Sequence, residues 1–74
     1  MFIVIRSMLC DDYDTDILEK FDNQDDAVKF IREYVINEMY DGDIDDIPEF
    51  VFACFDDFGN YNDGEIKLVV KNVG

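Results

Sequence analysis

Ala27, Phe30, Ile31, Tyr34 and Val35 recur at i, i+3, i+4, i+7 and i+8, the spacing that gathers side chains on one face of an α-helix. No other feature constrains the fold as tightly, because a helix apolar on one side only must be covered by the rest of a 74-residue chain. Asp22 or Asn23 supplies an N-cap, Asp25 and Asp26 fall in the first turn where exposed amides favour negative charge, and Gly42 supplies a stop. These signals predict a helix from about 24 to 40.

The remaining apolar runs are too short for a second such helix and read as strands. Residues 2 to 9 (FIVIRSML) are β-branched and apolar with almost no polar interruption, as in a buried strand. DDYDTD at 11 to 16 is a turn-prone link, and ILEKF at 17 to 21 is expected to return beside the first strand. EFVFACFDD at 49 to 57 reads as a central strand with Phe50, Phe52 and Cys54 on one side and Val51, Ala53 and Phe55 on the other. After the turn residues GNYNDG, the segment 65 to 73 alternates Ile66, Leu68 and Val70 with Lys67 and Lys71, the pattern of an amphipathic edge strand. The expected fold is therefore α+β: one small antiparallel sheet with one helix packed on it, in the order ββαββ, forming a single domain over 1 to 74.

A chain of this size buries only about 60% of its unfolded surface, so it has room for one modest core. Its hydrophobic share of 49%, including seven Phe and four Tyr, is well above that of chains that stay disordered. Cys10 and Cys54 both sit in apolar runs and read as small core residues of a reduced cytoplasmic protein, not as a disulfide framework. The opening MFIVI meets Arg6 too early for a signal peptide, and no apolar run approaches a membrane span.

Nineteen acidic residues against six basic ones give a formal charge of -13. Residues 11 to 26 carry a net -7 and residues 38 to 57 a net -8, while the intervening and flanking segments are close to neutral. Following the chain through ββαββ brings the 11 to 16 link and the 41 to 49 link to one end of the sheet. Asp11, Asp12, Asp14, Asp16, Asp41, Asp43, Asp45, Asp46 and Glu49 are expected to converge there, with Tyr13 and Tyr40 beside them as aromatic anchors. Phe58 and Tyr61 also lie near loops. In extended chain Asp41, Asp43 and Asp45 would project alike at intervals of roughly 6.6 Å, comparable to the step between phosphates.

The run D-x-D-x-D opens a calcium-binding EF-hand loop, but the rest of that loop is missing. Counting from Asp41, the sixth-position glycine is Asp46 and the twelfth-position glutamate is Phe52; counting from Asp12, they are Ile17 and Asn23. The chain has no His, only Ser7 and Thr15 as hydroxyl nucleophiles, and no Gly-rich phosphate loop or CxxC pair. The sequence thus predicts a protein that is not an enzyme and holds no cofactor or metal. Its charge repels nucleic acid and anionic membranes and attracts basic surfaces. A merely solubilising face would intersperse both signs, and salt adaptation would reduce the Phe and Ile content.

In size, acidity and lack of catalytic residues the chain resembles the small phage-encoded nucleic-acid mimics that block restriction or CRISPR nucleases; the resemblance is one of composition, without a shared motif. It implies a cytoplasmic inhibitor, in the host cell, that covers the basic groove of a nucleic-acid-binding defence protein. Two alternatives use related surfaces. One is an immunity protein or antitoxin covering a basic toxin, and the other is a regulatory or structural subunit that dimerises through an apolar sheet face.

Overall fold

The computed structural model describes residues 1–9 and 14–74. Strand β1 (Phe2–Met8) pairs antiparallel with β2 (Asp14–Phe21) and, on its other side, with β4 (Ile66–Asn72), which pairs in turn with the short β3 (Tyr61–Asn62). The sheet order is β2-β1-β4-β3, and the chain order is the expected ββαββ. The returning strand exists and starts earlier than the sequence predicts, at Asp14. It carries a bulge where the register shifts between Val4 and Ile5, so that Leu18 has no direct partner of its own.

Helix α1 (Gln24–Tyr34) is capped by Asn23, whose side-chain oxygen accepts from the Asp26 amide at 2.9 Å. The helix continues through a wider π turn at Val35–Met39. It ends where the Gly42 amide reaches back to the Ile36 carbonyl, with Asp41 and Gly42 both at positive φ. Ala27, Ile31 and Val35 are buried, so the apolar stripe of the helix is the face laid on the sheet.

The segment 49 to 57 departs from expectation. It is not a central strand: Glu49–Ala53 forms a short helix, α2, and only Phe55 makes an isolated bridge, to Tyr61. Unbroken apolar runs look alike in a buried strand and a buried helix, and here the local chemistry decides. Pro48 fixes the entry to α2 and Glu49 supplies negative charge to its first turn. As a helix the segment needs to bury only Val51, which is 1% exposed. The last strand is correspondingly not an edge: β4 lies between β1 and β3, and the third strand of the fold is Tyr61–Asn62.

Directly opposed residues in an antiparallel sheet share a face, so the register sorts the side chains. Val4, Leu68, Val70 and Tyr61 face α1 and join Ala27, Ile31, Val35, Ile47 and Val51 in one core. The opposite face carries the rows Lys20–Ile3–Lys71, Ile17–Ile5–Val69 and Thr15–Ser7–Lys67. Ile3 is buried yet lies outside the core cluster, as its position on this other face requires.

Candidate interaction surface

Two buried side chains hold the second acidic block in place. Ile47 and Val51 sit in the core, and the residues around them, Asp45, Asp46, Pro48, Glu49, Phe50 and Phe52, are exposed. Upstream, the Asp43 carboxylate accepts from the Asp45 amide at 3.1 Å and starts a single 3₁₀ turn at Ile44–Asp46. The turn cancels the even spacing expected of Asp41, Asp43 and Asp45 in extended chain. Among the described residues, Asp41, Asp43, Asp45, Asp46 and Glu49 make no ion pair: the two salt bridges are Arg6–Asp16 at 2.8 Å and Lys29–Glu33 at 4.0 Å.

Downstream, the ribbon is fastened by a loop built on Asp56. Its carboxylate accepts from the amides of Phe58 and Asn60, both at 2.9 Å, and from the Asn60 side chain. Burial alone would raise this carboxyl, but those donors outweigh it and hold Asp56 below the usual carboxylate range. Gly59, at φ +82°, closes the loop against Val28 of α1, where an added Cβ would collide with the valine side chain. Beyond it, Tyr61 is fully buried, stacks on Phe55 with ring centroids 5.0 Å apart, and donates to Asp63 at 2.8 Å. Burial first, and then that carboxylate, push the Tyr61 hydroxyl well above its ordinary value. Asp63 is held low because the amides of Ile66 and Glu65, together with the Tyr61 hydroxyl, outweigh its own burial. Asp56 and Asp63 are thus structural acids.

The contacts also locate the ends. Tyr34, late in α1, accepts from Arg6 at 2.8 Å, whereas Phe30, one turn earlier, stacks on Phe21 at the far end of β2. The helix therefore climbs toward the end of the sheet where β1 finishes and β2 starts, and Asp41 to Asp43 follow it there; at the same end of β1 the Leu9 amide donates to the Glu65 carbonyl. Asp16, one of the acids expected to converge, is paired with Arg6, whose guanidinium it and Tyr34 hold in its charged form. Asp11, Asp12 and Tyr13 lie outside the described residues, as does Cys10; Asp14 is the first residue of β2.

The second block does not stay at that end. Asp56 and Asp57 line a shallow groove of about 470 Å³ with Gln24, Asp25, Arg32 and Phe58, beside the start of α1. The acidic surface is a band running from the helix C-terminus along the 41 to 58 flank to the helix N-terminus. Its exposed apolar members are Ile44, Phe50, Phe52 and Phe58, at 54%, 62%, 40% and 71%. Phe50 and Phe52, expected with Phe55 on the apolar sheet face of the dimerising alternative, stand instead on helix α2; Pro48 immediately before Glu49 is the signal for a helix there. Tyr40, expected as an anchor, is half-buried against the core, and Tyr61 is part of it.

Cys54 is a free, half-buried thiol whose Sγ lies 3.3 Å from the Phe50 carbonyl. Among the described residues no group of three or more Cys, Asp or Glu side chains is arranged to hold a metal ion, and no helix is long and apolar enough to cross a membrane. No family model, curated protein or solved structure matches this chain.

Proposed function

We propose that this protein is a non-enzymatic inhibitor that lays its acidic band into the basic groove of a nucleic-acid-binding protein, as a defence nuclease presents, and occludes it. One observation carries the reading. Between Asp41 and Glu49 five carboxylates are exposed and free of ion pairs among the described residues, on a ribbon held by Ile47 and Val51 and flanked by exposed Phe50 and Phe52. Unpaired carboxylates keep their full attraction for a cationic cleft and steer association, while aromatic side chains beside them gain apolar contact once water is expelled. The contact surface proposed from the sequence is thereby weighted toward 41 to 58, with Phe50, Phe52 and Phe58 replacing Tyr40 as anchors.

The test is affinity capture from a host lysate at low and high salt, with the parent and with the double variant Asp43→Lys, Asp45→Lys. The parent is expected to retain a basic nucleic-acid-binding protein at low salt and release it at high salt, and the variant to retain none. Equal retention by both would show that the surface is misassigned. An immunity protein or antitoxin would give the same salt response with a basic toxin as the captured species.

A further inference from the structure

The face of the sheet turned away from α1 reverses the sign of the rest of the molecule. Three of the four lysines, Lys20, Lys67 and Lys71, stand on it, and no acidic residue occupies any of its paired positions. Between the lysines runs the apolar row Ile17–Ile5–Val69, with Ile17 59% exposed. Strands lie about 4.8 Å apart, so Lys20 and Lys71, two strands distant, bracket Ile3 across roughly 10 Å. Lysine stems lie readily along such apolar surface with the ammonium groups at its rim.

We infer that this face binds a second copy of the chain, head to tail, through that copy's acidic ribbon. The ribbon offers what the face lacks: unpaired Asp43, Asp45, Asp46 and Glu49 for the lysines, and exposed Ile44 and Phe50 for the aliphatic row. Symmetric stacking of two such faces would set lysine against lysine, and symmetric contact of two ribbons would set carboxylate against carboxylate. Only the heterologous arrangement pairs opposite signs, and it leads to rings or open chains because every dimer keeps one unused surface of each kind. Copies of net charge -13 repel at a distance, but at physiological ionic strength that repulsion fades beyond about 8 Å and leaves the local pairing to decide.

The inference goes beyond the proposed inhibition and stands whether or not a basic partner is found. Sedimentation velocity at physiological salt, from micromolar to millimolar protein, tests it. The parent is expected to associate with rising concentration. Lys67→Glu with Lys71→Glu, which spoils the face, and Asp43→Lys with Asp45→Lys, which spoils the ribbon, are each expected to weaken association by about tenfold or more. Mixing these two variants joins the intact ribbon of the first to the intact face of the second, and also sets the reversed face of the first against the reversed ribbon of the second, so it should restore association, a result no misfolded variant would give. A parent that is monomeric throughout, either variant associating like the parent, or a mixture that stays monomeric would each overturn the proposal. The lysine variant should still capture a basic partner, which separates failure here from failure of the inhibitory reading.

Discussion

The acidic ribbon and the outer sheet face are built by opposite means. The ribbon is irregular chain held by two buried side chains and by carboxylates that accept from its own amides, as Asp43 does for Asp45 and Asp56 for Phe58 and Asn60. The sheet face is regular, and its composition follows from the alternation of three paired strands, which sends Lys20, Lys67 and Lys71 to the side opposite the helix. The two ion pairs among the described residues engage only Asp16 and Glu33 of the chain's nineteen acidic side chains. The charges are therefore segregated by the tertiary structure more than they are paired. A surface whose acids shape its backbone cannot exchange them for residues without an acceptor and keep that shape, whereas the lysine face can.

The sharpest test of this contrast uses adjacent residues of β4. Leu68 is fully buried beneath α1 and Val69 lies on the lysine face. Leu68→Ala is expected to cost about 2–5 kcal/mol in denaturant unfolding, and Val69→Ala well under half of that. Equal costs would mean that the outer face is covered in the isolated chain. Tyr61, opposite Leu68, fastens the ribbon to the sheet, and Tyr61→Ala is expected to cost about 3–5 kcal/mol by loss of a buried aromatic ring.

Gly59→Ala comes next. The added methyl collides with Val28 at a backbone angle that L side chains rarely adopt, so a loss of about 1–3 kcal/mol is expected, read as a lowered urea midpoint. The double change with Val28→Ala removes the collision and leaves the backbone penalty. Recovery of part of the loss in a double-mutant cycle would show that the 56 to 59 loop is seated on the helix as described, and additive losses would place it elsewhere.

Much of this fold is legible from periodicity. The stripe from Ala27 to Val35, the cap at Asn23, the first strand and the hairpin partner all follow from patterns whose physical basis is local. The segment after Pro48 was not legible as an alternation, because Phe50, Phe52 and Phe55 satisfy a strand as well as a helix and only the proline and the position of β4 between β1 and β3 decide. The direction of the helix was legible because it depends on chain order alone, and it carries Asp41 to Asp43 toward the end of the sheet where β1 finishes. The pairing of Asp16 with Arg6 was not, since it rests on register, and a strand bulge at Leu18 is invisible in a composition. The lysine face was half legible: Lys67 and Lys71 alternate plainly, but assigning them to an edge hid the fact that Lys20 joins them across β1.

The smallest expected effect concerns acid. Asp56 and Asp63 have carboxyls held below their ordinary range by backbone amides. Groups whose pKa is depressed by folding add stability that is present above the unfolded value, about 3.9 for Asp, and is lost as the pH falls through the lower folded value. Mild acidification from neutrality should therefore leave the contribution of these two carboxyls to the thermal midpoint unchanged, and its loss should begin only below about pH 4. Asp56→Asn with Asp63→Asn keeps an acceptor for each amide but removes both charges. It should lower the midpoint slightly at neutral pH and converge with the parent in strong acid. A variant whose curve runs parallel to the parent's at every pH would show that these two carboxylates do not anchor their loops as charged groups, and the division between structural acids and ribbon acids would fall.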